Sequence, residues 1–92
     1  MDKGLRRTIE KKFRAYGNLK FNDPWKNVIE SVIAKYSGTE KGKLIECRYL
    51  KGKNEVQTCL ELHISQRLYY DWVKDIIQDT ALMAAYEKLI RP

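Results

Sequence analysis

The dipeptide Asp23-Pro24, followed by apolar residues at helical spacing, constrains this chain more than any other feature. Aspartate is a strong helix N-cap, and proline is welcome only in the first turn, where its missing N–H costs nothing. Trp25, Val28, Ile29, Val32, Ile33 and Tyr36 then recur at intervals of three and four, and Ser37-Gly38 provides the stop. A helix with two marked ends and so wide an apolar face needs other elements to cover it.

The rest of the sequence supplies those elements as further helices. A first helix is expected from about Lys3 to Tyr16, with Leu5, Ile9, Phe13 and Tyr16 on one face and Arg6, Arg7, Lys11 and Arg14 around the remainder. Thr39 caps a third, running to about Leu50 with Leu44, Ile45 and Tyr49 inward. Gly42 weakens it by roughly 1 kcal/mol relative to alanine, and Gly52 ends it. Asn54 opens a fourth helix with Gln57 in capping-box position, and Leu62 closes it. Ser65 caps a fifth, expected to reach about Leu89, in which Tyr69, Val73, Ile76, Thr80, Met83 and Ile90 belong to one broad stripe. No alternating run or hairpin turn suggests a strand. The expectation is an all-α, five-helix bundle forming one domain over residues 1–92.

Composition narrows the function classes. With 43% apolar and 33% charged residues the chain is globular rather than disordered. Met1 is followed by charge, not by an apolar leader, and no apolar run approaches the length of a bilayer span, so the bacterial cytoplasm is the expected location. Cys47 and Cys59 read as reduced core thiols, and one histidine, His63, makes a zinc site implausible. No nucleophile–base pair, metal-ligand cluster or glycine-rich phosphate loop is present, so neither an enzyme nor a cofactor is expected. Net charge is +6, unevenly spread: residues 1–20 hold seven bases against two acids, residues 21–53 seven against four, and residues 54–92 four against six. Such a basic N-terminal half attracts polyanions irrespective of their sequence.

The stretch from Glu55 to Trp72 meets the requirements of a helix-turn-helix, expected over about residues 54–79. Cys59 is the small residue at the helix crossing, Leu62 the apolar residue before the turn, and Ile64 the plug after it. His63 takes the position that needs a left-handed backbone, which histidine adopts more readily than most residues. Ser65 caps the second helix, and Tyr69 and Trp72 pack it back.

In this window Leu62-His-Ile-Ser-Gln-Arg-Leu-Tyr-Tyr-Asp-Trp72 resembles the L-x-I-S-R-S-T-Y-Y-R-W segment of the RinA/ArpU group of phage late-gene transcriptional regulators, themselves similar to region four of sigma factors. Leu44-Ile-Glu-Cys-Arg-Tyr-Leu-Lys-Gly52 resembles the L-I-x-x-R-Y-F-x-G helix upstream of it in that group. Thr8-Ile-Glu-Lys-Lys-Phe-Arg-Ala-Tyr16 is similar to its N-terminal I-E-x-E-L-x-x-Y helix. Gln66 and Arg67 stand where the group has arginine and serine, Leu68 where it has threonine, and Asp71 where it has a base. The resemblance implies a sigma region-four-like helix-turn-helix and a phage or prophage regulator that binds double-stranded DNA.

On that reading the helix after Ser65 enters the major groove, with Gln66 suited to adenine, Arg67 to guanine, and Tyr70 and Lys74 further along the same side. Arg48, Lys51, Lys53 and Ser65, together with the basic N-terminal helices, are expected on phosphates. Asp71 fits an intrahelical ion pair with Lys74 or Arg67 better than a base contact. The apolar stretch at about residues 80–90 is either a dimerisation helix or a segment folded back on the Trp25–Tyr36 helix. The acidic balance after Asn54 keeps a second reading open, a module binding RNA polymerase or another protein without base readout. A small terminase-type packaging factor is a third.

Overall fold

In the computed structural model, residues 3–90 are described; Met1, Asp2, Arg91 and Pro92, the ends of the expected domain, lie outside them. The described chain is all-α: α1 (Lys3–Arg14), α2 (Pro24–Tyr36), α3 (Glu40–Ile45), α4 (Glu55–Leu62) and α5 (Gln66–Tyr86), with no strand among the described residues. A short 3₁₀ turn, Tyr16–Asn18, follows α1, so the first helix stops two residues before its expected end. None of the described helices is long and apolar enough to cross a membrane.

The caps act where the sequence puts them. Asp23 accepts the Trp25 backbone N–H at 2.9 Å, and Thr39 accepts that of Gly42 at 3.1 Å. Asn54 and Gln57 form the full reciprocal box, each side chain accepting the other's backbone N–H, at 2.8 and 3.1 Å. Each cap satisfies a donor that the helix itself cannot, worth about 1 kcal/mol.

The core lies where α5 runs along α2, with α1 and α3 closing its sides. Ile9 and Phe13 of α1, Ile29 and Val32 of α2, and Tyr69, Val73 and Ile76 of α5 are fully enclosed. Phe13 stacks on Tyr49 with ring centroids 4.6 Å apart, which joins α1 to the end of the third helix.

That end is not α-helical. Glu46–Leu50 forms a π-helical turn, its wider loop of backbone shown by the Lys51 N–H reaching back five residues to the Glu46 carbonyl at 2.8 Å. More residues per turn bring successive side chains closer in direction. Cys47 and Tyr49 are buried there and Arg48 between them is mostly covered, so three neighbours in sequence all turn inward. Gly52, with φ of +66°, then breaks the chain away.

The fifth helix ends earlier than the sequence predicts, at Tyr86 rather than near Leu89. Lys88 takes a left-handed conformation, φ +61°, and the Leu89 N–H bonds to the Ala84 carbonyl at 2.8 Å, turning Leu89 and Ile90 back onto the core. Residues 80–90 are thus no separate helix. Thr80 and Ala84 are fully buried in the chain's own core, and α5 uses its apolar stripe on α2. The fold-back onto α2 is present, while Leu82 and Tyr86 on the opposite side stay 70% and 87% exposed.

Candidate nucleic-acid interface

The α4–α5 pair is built from local rules. His63 adopts φ 55° and ψ 45°, the left-handed position required of it. Its N–H and that of Ile64 both reach the Cys59 carbonyl, closing the end of α4. Ile64 packs half-buried against the core, and Ser65 Oγ accepts the Leu68 N–H at 3.1 Å to start α5. Tyr69 is fully buried and Trp72 half-buried, holding α5 down as expected.

One scaffold assignment shifts. Thr58, not Cys59, is the enclosed small residue of α4; Cys59 sits half-buried at the margin. Thr58 and Leu62 stand one turn apart on the inward side, and a threonine is small enough to be missed in a search for glycine, alanine or cysteine. The Thr58 hydroxyl is buried without a hydrogen-bond partner. Thr58→Val keeps the shape and removes the stranded hydroxyl, so it is expected to stabilise the fold by about 1 kcal/mol. A chemical-denaturation midpoint equal to or below the parent's would contradict this.

The four residues expected to read bases lie on the exposed side of the first half of α5. Gln66, Arg67 and Lys74 are exposed, and Tyr70 keeps 46% of its surface. The Tyr70 hydroxyl donates to the Glu55 carboxylate at the start of α4. Its ring meets Tyr69 edge-on at 5.4 Å, which fixes its direction. Arg67 has no carboxylate within 4.0 Å among the described residues, and neither has Lys74, so the expected ion pair with Asp71 does not form.

The residues expected on phosphates fare differently. Arg48 is not a surface cation. Its guanidinium pairs with Glu10 at 2.5 Å, donates to the Tyr69 hydroxyl, and lies over the Tyr49 and Tyr69 rings at 5.2 and 5.6 Å. Only 15% of its side chain is exposed, and its charge is already met by Glu10. The π-helical turn is the physical reason, because it rotates Arg48 toward α1 and α5. Burial works against ionisation of Glu10, but the Arg48 hydrogen bond and charge outweigh it and hold the carboxyl below its ordinary range. Burial, offset by Arg48 and reinforced by Glu10, pushes the Tyr49 hydroxyl up to about 12.

Lys51 and Lys53 remain at the surface but are engaged, with Glu46 at 3.3 Å and Glu61 at 2.5 Å. Glu61 also accepts the Cys47 thiol. Hydrogen bonds from Cys47 and Lys53 lower its carboxyl to about 2, while burial and Glu61 push the thiol up to about 11, leaving it protonated and unreactive at neutral pH. The Ser65 hydroxyl is exposed and occupied as a cap acceptor.

The acidic residues after Asn54 are largely spent in the same way. Asp75 pairs with Lys41 at 2.9 Å, and Asp79 with Lys35 at 3.0 Å and with the Tyr36 hydroxyl. Exposed pairs like these add little stability, a median of about 0–1 kcal/mol. Their consequence here is that Asp75 and Asp79 are neutralised by α3 and α2 lysines, whereas Glu55 stays bonded to Tyr70 and Asp71 has no cation within 4.0 Å among the described residues.

Unpaired positive charge is found on α1 instead. Lys3, Arg6, Arg7, Lys11 and Arg14 have no carboxylate within 4.0 Å among the described residues, whereas Lys12 approaches Asp23 at 4.0 Å. Arg7, Lys11 and Arg14 recur at i, i+4 and i+7 on one helix face. That periodicity is the sequence signal behind the phosphate contacts expected of the basic N-terminal helices. Comparison with protein-family models, with curated proteins and with solved structures finds no match for this chain.

Proposed function

We propose that this protein binds double-stranded DNA and regulates transcription, as the resemblance to the RinA/ArpU regulators implies, and that it acts by binding rather than as an enzyme. The observation that carries the reading is the exposed side of α5. Gln66, Arg67, Tyr70 and Lys74 project from its first half, on a helix started by a capped three-residue turn, with Lys3 and Arg6 of α1 beside Lys74. On this reading α5 enters the major groove, with Gln66 and Arg67 at base edges. Backbone affinity comes from α1, while Lys51, Lys53 and Ser65 contribute only where a phosphate displaces their present partners.

Duplexes selected from a random pool, then titrated at two salt concentrations, test this. Affinity is expected to fall steeply with salt. Arg67→Ala is expected to cost about 1–3 kcal/mol on the selected sequence, roughly 5- to 150-fold, and to relax preference at one base pair. Absence of duplex binding at the lower salt rejects the reading. One reading helix covers few base pairs, so a homodimer on a two-fold site is part of the proposal. A single copy bound per site would remove that part.

One observation favours the second reading, contact with RNA polymerase or another protein. Val56 and Leu60, one turn apart on α4, are 65% and 71% exposed. Charged residues at both positions would abolish such a contact and leave duplex affinity intact.

A further inference from the structure

Where α1 crosses α5, Lys3 and Arg6 face Lys74 and Gln78 across a recess of about 250 Å³ floored by Ile77. The three cations come from two helices distant in sequence, and none has a carboxylate within 4.0 Å among the described residues. Among the described residues, Asp75, beside Lys74, is held by Lys41 and Asp79 by Lys35; Glu10, one turn after Arg6, bonds to Arg48 while still feeling the Arg6 charge, and Asp71, one turn before Lys74, pairs with no cation within 4.0 Å. Like charges gathered around one concavity repel, and a bound anion relieves that repulsion. Among the described residues no aromatic side chain lines the recess, so they give a base or nucleoside nothing to stack on, while the Gln78 amide adds a donor to three cationic ones.

We propose that this recess is a phosphate-binding notch that holds one phosphodiester group of the DNA backbone beside the groove entered by α5. The inference rests on the DNA reading for the identity of the polyanion, and it changes the role of one residue. Lys74 stands one turn beyond Tyr70, at the lip of the notch, and its ammonium grips the backbone instead of reading a base. The notch joins α1 to α5 at a single phosphate. It thereby sets how far along the groove Gln66 and Arg67 engage, in the way backbone contacts fix register without carrying sequence information.

The test replaces Lys3, Arg6 and Lys74 together by glutamine. A control replaces Lys20, Lys43 and Lys88, lysines outside the recess, and lowers net charge equally. All six side chains are exposed, and thermal melting verifies that both variants fold. The expected result is a salt slope, log affinity against log salt, shallower by about 1 in the notch variant, as loss of one neutralised phosphate requires. Affinity falls on selected and random duplexes by the same factor, leaving their ratio unchanged. An unchanged slope, or a loss no larger than in the control, overturns the notch while leaving the DNA reading standing. A collapse of the ratio in Lys74→Gln alone also overturns it, by returning Lys74 to base readout.

If the parent protein binds no duplex, the DNA reading fails separately, and inorganic phosphate becomes the probe. Saturable shifts of the Lys74 and Gln78 amide resonances, absent from the notch variant, then uphold a site for free phosphate. No saturation at tens of millimolar phosphate overturns it.

Discussion

Arg48→Ala is expected to destabilise the protein by about 3 kcal/mol, near the lower end for breaking a buried ion pair because both side chains keep some water contact. For a chain of this size that lowers the melting temperature by roughly 15 °C. The loss has named parts: Glu10 stays behind without its cation, the Tyr69 hydroxyl loses a partner, and the guanidinium no longer bridges the Tyr49 and Tyr69 rings. The same substitution separates this role from the phosphate contact expected from sequence. A phosphate-binding Arg48 would leave the melting temperature nearly unmoved and reduce the salt slope of DNA binding instead. Calorimetry of the free protein distinguishes the two without any DNA.

The pair also carries a pH signature. Glu10 has a folded-state pKa held below its unfolded value, so its contribution is fully present above the ordinary carboxylate range. It is lost as pH falls through the lowered folded value. Stability should therefore decline on the acid side, and Glu10→Gln should flatten that decline while lowering stability at neutral pH. Asp79, whose carboxyl burial raises but Tyr36 and Lys35 lower further, acts in the same direction, so a residual slope is expected in the variant. A parent and a Glu10→Gln protein with parallel acid melts would show that the pair contributes nothing.

Gly42→Ala should also be strongly destabilising, against its helix propensity. In an exposed helix, alanine gains roughly 1 kcal/mol over glycine. Here a Cβ would lie 2.2 Å from the backbone carbonyl oxygen of Tyr36, the last residue of α2. That oxygen already accepts the Thr39 N–H at 3.0 Å and the Thr39 hydroxyl, so it cannot move without opening the turn. Forcing atoms into such a contact costs about 1–3 kcal/mol beyond the gain in propensity, and often more when backbone must shift. A melting temperature about 10 °C lower is expected. An unchanged or raised value would mean that α2 and α3 separate freely, and that Gly42 is only a weak point in a helix.

The scaffold of the α4–α5 pair was readable because its constraints are local. A left-handed His63, the Ser65 cap and the Asn54–Gln57 box each depend on residues within a few positions of one another. The exposed positions Gln66, Arg67, Tyr70 and Lys74 follow from the same helical phase, since Tyr69, Val73, Ile76 and Ile77 define the side that is buried. The phosphate side was less readable. A cation and its partner can be 38 residues apart, as Arg48 and Glu10 are, and nothing in their neighbourhoods announces the pairing. Likewise the notch needs Lys3 and Arg6 to meet Lys74, which only the crossing of α1 over α5 brings about.

The Asp23-Pro24 start and the apolar spacing after it did determine α2, to the residue, because a cap, a proline and a helical period act within one segment. Helix number and caps are of that kind, and they were all in the sequence, as were the inward faces apart from Thr58 and Arg48. Tertiary structure alone decided three other matters: that Glu46–Leu50 widens into a π turn, that residues 80–86 continue α5 onto α2, and which charges remain free. Each depends on what stands opposite a side chain. A charge next to an opposite charge is neutralised and one facing solvent is available, and sequence spacing carries no record of that difference.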